Sequence, residues 1–142
     1  MNTSTLEQNK ELVRRFVAGL NEGNLEVFDE LLAPDFVDHT PSPGVSPTRE
    51  GWKSAFPMER AAFPDLHFTI EDLIAEGDKV VVRAKVVGTH QREFMSMPAT
   101  GKKVTILNVT IFGIAGGKIV ERWTVFDALG MMVQVGALPP TG

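Results

Sequence analysis

The sequence predicts a single α+β domain, with helices in its first half and an antiparallel sheet in its second half. Three observations support this prediction. Apolar residues recur at helical spacing early in the chain, β-branched segments alternate later, and short glycine-containing turns separate those segments. The chain has 142 residues, 43% of them hydrophobic, which is enough for one buried core. We therefore treat residues 1–142 as one domain.

Helical periodicity predicts three helices. The first ends at Gly23 and the second ends at Pro34, because neither residue continues a helix well. Beyond a proline-rich loop, Ser46 and Pro47 form a favourable N-cap and first-turn pair for the third helix. Pro57 lies inside that helix and has no N–H, so we expect it to kink or end the helix. The helical pattern then resumes to Phe63, and Pro64 stops it.

Four later segments are rich in β-branched residues and are predicted as strands: 67–74, 79–90, 104–114 and 118–127. Short turns join the first segment to the second and the third to the fourth, which indicates antiparallel pairing. Patterning gives the helices and the sheet. It does not give the curvature of the sheet.

Composition excludes several classes of protein. Lys and Arg number 14 against 18 Asp and Glu, a net charge of −4, which argues against a nucleic-acid partner. Cys is absent, so thiol catalysis and Cys-ligated metals are excluded. The spacing of the three histidines does not indicate a metal site, and we predict no metal. No apolar run is long enough to span a bilayer, so we expect a cytoplasmic protein with no membrane partner.

Asp127 is the main candidate for acid/base chemistry. It closes an apolar strand, and by strict alternation it shares a face with Trp123 and Val125. If that face lines a pocket, burial disfavours the carboxylate anion and suits the group to proton transfer near neutral pH. The alternative is an exposed carboxylate at a strand end, which caps the next helix.

Strand register predicts a neighbour for this carboxylate. A two-residue loop at Gly116-Gly117 would place Trp123 opposite Thr110 and make Asn108 a diagonal neighbour of Asp127. Asn108 could then orient the carboxylate or donate to an enolate oxygen. A three-residue loop would move Asn108 to the opposite face.

Several segments together are distinctive, namely Phe36-Val37-Asp38-His39, Gly88-Thr89-His90, Pro98-Ala99-Thr100-Gly101-Lys102 and Gly117-Lys118-Ile119-Val120-Glu121-Arg122-Trp123. With them, the chain resembles the SnoaL-like polyketide cyclases of the nuclear transport factor 2-like superfamily. The resemblance covers nearly the whole chain. It implies a cone-shaped barrel, made of a curved antiparallel sheet with the N-terminal helices packed over its mouth. It also implies no cofactor and a homo-oligomer, either a dimer or a tetramer.

The resemblance also implies a reaction. In those cyclases an Asp on the last long strand is the acid and base of an intramolecular aldol ring closure, and that position matches Asp127. His39, at the entry to the proline-rich loop, is a candidate proton relay, the alternative being a histidine bonded to nearby backbone. The candidate substrate-binding residues are Trp52, Phe56, His90, Phe94, Asn108, Thr110 and Trp123, although most of the apolar ones could equally be core.

The leading functional hypothesis is a cofactor-independent enzyme that cyclises a polyketide-like ester, with a small apolar or aromatic ligand. The alternative from another class is a non-catalytic carrier or sensor. In the cyclases that the chain resembles, a pocket His on the strand before the Asp assists the reaction, and the absence of His from 104–114 favours this alternative. Isomerase-like and epoxide-hydrolase-like enzymes of this fold fit less well, because the chain has no Tyr. The Arg83-Ala84-Lys85 strand also lacks the acid of the hydrolase. An assembly module would show an apolar patch on the sheet exterior.

Overall fold

The computed structural model describes residues 3–139 of the chain, and within them four helices and five strands follow one another. In chain order they are α1 (Thr3–Glu22), α2 (Glu26–Leu31), β1 (Leu32–Asp38), α3 (Arg49–Ala62), β2 (His67–Glu76), β3 (Lys79–Thr89), β4 (Lys103–Ala115), β5 (Lys118–Phe126) and α4 (Ala128–Gln134). Helices therefore precede most of the sheet, as the α+β prediction requires. None of these helices is long and apolar enough to cross a membrane.

The five strands form one curved sheet that does not close on itself, in the order β1-β5-β4-β3-β2. β2 to β5 pair antiparallel as predicted, whereas β1 pairs parallel to β5. β1 is an element that the sequence analysis missed, because Pro34 was interpreted only as the end of a helix. The strand lies at the sheet edge and its pairing with β5 is interrupted between Leu32 and Val37, which is where a proline is tolerated.

The third helix begins later than predicted and does not end at its proline. Thr48, not Ser46, is the N-cap, and its hydroxyl accepts a hydrogen bond from the N–H of Gly51 at 3.1 Å. The helix continues through Pro57. Pro57 is exposed, so its ring is on the solvent side of the helix and does not disturb the core.

One face of the sheet, which we call the inner face, packs against α1 and α3. Along β3 every second residue from Val80 to Gly88 is buried on this face. The aromatic centre of the core joins helix to sheet: the ring centroid of Phe16 lies 5.2 Å from that of Trp52 and 6.1 Å from that of Phe112. The inner face is thus where helices and strands enclose the interior, and we call the opposite side the outer face.

The turn between β4 and β5 has two residues, as predicted, and Ala115 pairs with Lys118. The predicted register beyond it is wrong. A β-bulge lies between Gly113 and Ile114, where β5 has one more residue than β4. Because side chains alternate along a strand, this one residue exchanges the two faces of β5.

Beyond the bulge, Thr110 pairs with Thr124 and Ile111 pairs with Trp123. Thr110 is buried on the inner face, so Thr124 also lies there. By alternation Arg122 belongs to the inner face, and Trp123 belongs to the outer face. The bulge therefore decides which side chains of β5 face the interior.

Candidate active site

Polar side chains gather on the inner face at the β1–β5–β4 end of the sheet. We call this group the inner polar cluster; its members are Asp38, Thr40, Asn108, Thr110, Arg122 and Thr124. Their clustering follows from the strand pairing, since Asp38 pairs with Arg122 and Thr110 pairs with Thr124. Polar groups in this position need partners inside the protein, and most of them have one.

An ion pair forms one end of the inner polar cluster. Arg122 Nη2 lies 3.0 Å from Asp38 Oδ2, and the Asp38 residue is only 2% exposed. The guanidinium carbon of Arg122 lies 3.5 Å from the centre of the Trp52 ring, a cation–π contact. Burial lowers the pKa of Arg122, while the charge of Asp38 opposes this effect. The guanidinium remains a positive charge, because arginine is not deprotonated in proteins.

Hydroxyl groups connect this ion pair to Asn108. The N–H of Thr40 donates to Asp38 Oδ1 at 3.0 Å, and the N–H of Thr124 donates to Thr40 Oγ1 at 2.9 Å. The hydroxyl oxygens of Thr110 and Thr124 are 2.7 Å apart. Thr110 also donates to Asn108 Oδ1 at 3.1 Å. The result is a continuous line of donors and acceptors across three strands.

Two buried nitrogens have no hydrogen-bond partner among the described residues: Arg122 Nε and His90 Nε2. A buried polar atom without a partner is costly and rare in proteins. Both belong to residues on or beside the inner face, so both are available to a group that enters the interior.

Glu59 places a second carboxyl group near the inner polar cluster. It lies on α3 in the same stripe as Trp52, Phe56 and Phe63, which are all buried. Burial raises the pKa of the Glu59 carboxyl, and the positive charge of Arg122 partly counteracts this. No hydrogen bond or ion pair holds this carboxyl among the described residues. Sequence analysis missed Glu59, although a charged residue within an aromatic helix stripe was a visible signal.

His90 and Phe94, both predicted to bind substrate, lie together with Phe63. The His90 ring stacks on Phe63 with 5.4 Å between centroids, and the Phe94 ring meets Phe63 edge-on at 5.2 Å. His90 is fully buried. Its Nδ1 lies 3.1 Å from Thr100 Oγ1.

Asp127 does not lie on the inner face. It does continue the alternation of Trp123 and Val125, as predicted, but the bulge places that face outside. The residue is exposed and is the N-cap of α4, with Oδ1 accepting from the N–H of Gly130 at 2.8 Å. The expected dry environment is therefore wrong, and the alternative of a helix cap is what the structure has.

His39 and Trp123 also lie on the outer face. Their rings stack with 4.3 Å between centroids and 7° between planes. His39 Nε2 is 3.1 Å from Glu121 Oε1, and Lys79 Nζ is 3.4 Å from the other oxygen of Glu121. The predicted proton relay and one predicted substrate contact are thus separated from the inner polar cluster by the sheet.

The structure brings together three of the predicted substrate-binding residues. Asn108 and Thr110 belong to the inner polar cluster, and Trp52 contacts its arginine. Phe56 is 2% exposed, and its ring centroid lies 6.0 Å from that of Phe28, so Phe56 is part of the core.

The surface of the described chain has open depressions, and two of them are well defined. One, of about 490 Å³, lies between α1 and the β4–β5 turn. The other, of about 350 Å³, lies between residues 96–100 and residues 135–137. Neither is lined by the inner polar cluster. Among residues 3–139 no three His, Asp or Glu side chains come together in an arrangement that could hold a metal ion.

Comparison with known proteins gives a consistent result. The family model of the SnoaL-like polyketide cyclases matches residues 10–135. Two curated relatives are aklanonic acid methyl ester cyclases: DauD of Streptomyces sp. strain C5 and DnrD of Streptomyces peucetius. Each is 29% identical in an alignment of 138 positions that covers 92% of this chain, and the alignment covers 83% of DauD and 92% of DnrD.

The fold has close counterparts among solved structures. Wild-type IdmH from Streptomyces antibioticus is 35% identical, with a TM-score of 0.81, over 91% of this chain and 99% of that chain. The likeness extends over almost the full length of both chains, so it includes the strands that carry the inner polar cluster.

Proposed function

The chain belongs to the SnoaL-like polyketide cyclase family, and from this premise we propose that it is an enzyme that closes a ring in a polyketide-like ester by an aldol-type reaction. The observation that carries the proposal is the match to two aklanonic acid methyl ester cyclases over 92% of the chain. The inner polar cluster supports it, because this cluster offers charged and hydroxyl donors inside an otherwise apolar interior.

The chemistry required is a transfer of one proton and the formation of one carbon–carbon bond. A base removes a proton from a carbon beside a carbonyl group, and the enolate carbon attacks a ketone carbonyl of the same molecule. The new alkoxide then takes up a proton, so the product is an isomer of the substrate. Nothing is oxidised or reduced in these steps, which is why we propose that they need no cofactor.

The inner polar cluster fits the charge that develops. The enolate oxygen and then the alkoxide oxygen become negative, and preorganised donors stabilise such oxygens. Arg122 Nε is buried with no protein acceptor, and the hydroxyls of Thr110 and Thr124 are adjacent in the same cluster. A substrate carbonyl placed against Arg122 would supply the missing acceptor.

The direct test incubates the purified protein with aklanonic acid methyl ester and follows the ring-closed isomer by chromatography and absorbance. We expect faster product formation than in buffer alone. Ligand-induced thermal stabilisation without product would contradict the enzyme and favour the carrier. Neither stabilisation nor product would contradict this substrate class.

The family resemblance assigns the acid/base role to Asp127, and that assignment stays a prediction. Asp127→Asn in the same assay tests it, because a general base contributes about 10²–10⁴-fold to the rate. The Asn side chain can still cap α4, so the fold is retained. A rate comparable to wild type would exclude Asp127 as the catalytic acid and base.

The carrier remains the second candidate because β4 contains no histidine. We also propose that the chain forms a homo-oligomer through the outer face, where several apolar side chains are exposed.

A further inference from the structure

We propose that Glu59 is the catalytic acid and base of the ring closure, a role that rests on the function proposed above. Glu59 is half-buried, on the stripe of α3 whose Trp52 contacts Arg122 of the inner polar cluster. A substrate held between helix and sheet would have this carboxyl on one side and the donors of the cluster on the other.

The position of Glu59 follows from helical spacing. Trp52, Phe56, Glu59 and Phe63 fall on one stripe of α3 and its C-cap, and the three aromatic residues are between 2% and 7% exposed. Glu59 shares this side of α3 with the three aromatic residues and is itself half-buried. The next residue, Arg60, turns the other way, and its Nη1 donates to the carbonyl oxygen of Leu20 at 3.1 Å.

The carboxyl groups of Asp38 and Glu59 differ in whether their oxygens already accept hydrogen bonds. Asp38 accepts from Arg122 and from the N–H of Thr40, so its oxygens are already engaged. The Glu59 carboxyl has no such partner among the described residues. A catalytic base must offer a free oxygen to the proton it removes, which only Glu59 does.

The electrostatic environment of Glu59 suits both halves of the reaction. Burial raises the pKa of its carboxyl and so brings proton uptake closer to neutral pH, while Arg122 preserves the ionised form. The Glu59 carboxylate takes the proton from the substrate carbon, and the electron pair of that C–H bond becomes the enolate. The Glu59 carboxylic acid then returns the proton to the alkoxide after the carbon–carbon bond forms.

The activity test compares four variants on aklanonic acid methyl ester. Glu59→Gln should lower kcat about 10²–10⁴-fold, and Glu59→Asp should restore part of it. Glu50→Gln is the matched control, because Glu50 lies on the exposed first turn of the same helix, and it should keep the wild-type rate. Loss of activity in Asp127→Asn with a normal rate in Glu59→Gln would overturn the proposal and leave the proposed function intact.

A second measurement does not depend on turnover. Because the pKa of Glu59 is raised in the folded state, its contribution to stability is present at low pH and is lost as the pH rises through the folded value. The charged group that acts on it is Arg122 from β5, which is itself paired with Asp38 from β1. The Tm of Glu59→Gln minus that of wild type should therefore increase from acid to neutral pH. A difference independent of pH would overturn the proposal, even if the wild-type protein has no activity on this substrate.

Discussion

Two carboxyl groups near Arg122 differ in their partners at the scale of single residues. Asp38 neutralises the buried guanidinium of Arg122, and Glu59 has no bonded partner among the described side chains. Loss of the Asp38 carboxylate would leave the buried Arg122 charge without a counter-ion, which is costly. Burial without a bonded partner disfavours the ionised Glu59 carboxylate, which suits the role proposed for it.

Replacement of Asp38 by Asn should therefore be strongly destabilising. The change leaves the Arg122 charge buried without its carboxylate, and breaking such a pair costs about 3–5 kcal/mol. Urea denaturation gives the free energy of unfolding directly. The matched control is Asp72→Asn, which removes an exposed ion pair with Arg83 and should cost no more than about 1 kcal/mol. Equal losses in the free energy of unfolding for the two variants would show that the interior ion pair contributes no more to stability than the exposed one.

At the scale of secondary-structure elements, a single inserted residue separates what the sequence predicts from what the structure has. Pattern and turn length correctly predict the β4–β5 hairpin and its two-residue loop. They do not predict the bulge beside Gly113, because an extra residue leaves the apolar alternation almost unchanged. That bulge moves Asp127 and Trp123 to the outer face and brings Arg122 inside. The candidate site was therefore only partly predictable, although the strands that form it were.

Prolines were the other source of error among the elements. Pro34 was interpreted as the end of a helix, whereas it lies in an edge strand, and Pro57 was expected to kink or end a helix that in fact continues past it to Ala62. Both prolines are exposed, so the backbone hydrogen bond that each cannot donate is not missing from the buried interior. Sequence alone does not tell which side of an element a proline occupies before the burial of its neighbours is known.

The role of Asp127 as a cap of α4 leads to a prediction at this scale. Asp127→Ala should lower the free energy of unfolding by about 1 kcal/mol, because it removes the acceptor for the Gly130 N–H. Asp127→Asn should be close to neutral, since Asn caps as well as Asp. A Cβ on Gly130 would collide with the Asp127 carboxyl, which shows how closely the two residues fit. Denaturation of both variants checks this, and an Asn variant as unstable as the Ala variant would contradict the capping role.

At the scale of the whole molecule, the two faces of the sheet differ in what they offer. The inner face holds the inner polar cluster beneath α1 and α3. The outer face exposes apolar side chains, namely Val37 at 44%, Leu107 at 48%, Ile111 at 37% and Val125 at 66%. A contiguous apolar surface on a sheet is a usual site of subunit contact. Its occurrence suits an oligomeric enzyme as well as an assembly module, so the patch alone does not choose between them.

We predict that a second copy of the chain covers this patch. Light scattering should then give a mass at least twice the 15.5 kDa of one chain. Val125→Lys should shift the mass toward that of the single chain, because an ammonium group in the middle of an apolar contact must lose its water without gaining a partner. The control is Met58→Lys, an equally polar change at the most exposed apolar side chain of α3, which is 74% exposed.

The measured masses separate the possible outcomes. If Val125→Lys and Met58→Lys both have the same mass as wild type, the contact between copies lies elsewhere. If wild type is already a monomer, the outer face has no partner copy. If only Val125→Lys dissociates and the separated chains still cyclise substrate, each chain is catalytically complete, as the site proposed between α3 and the inner face requires.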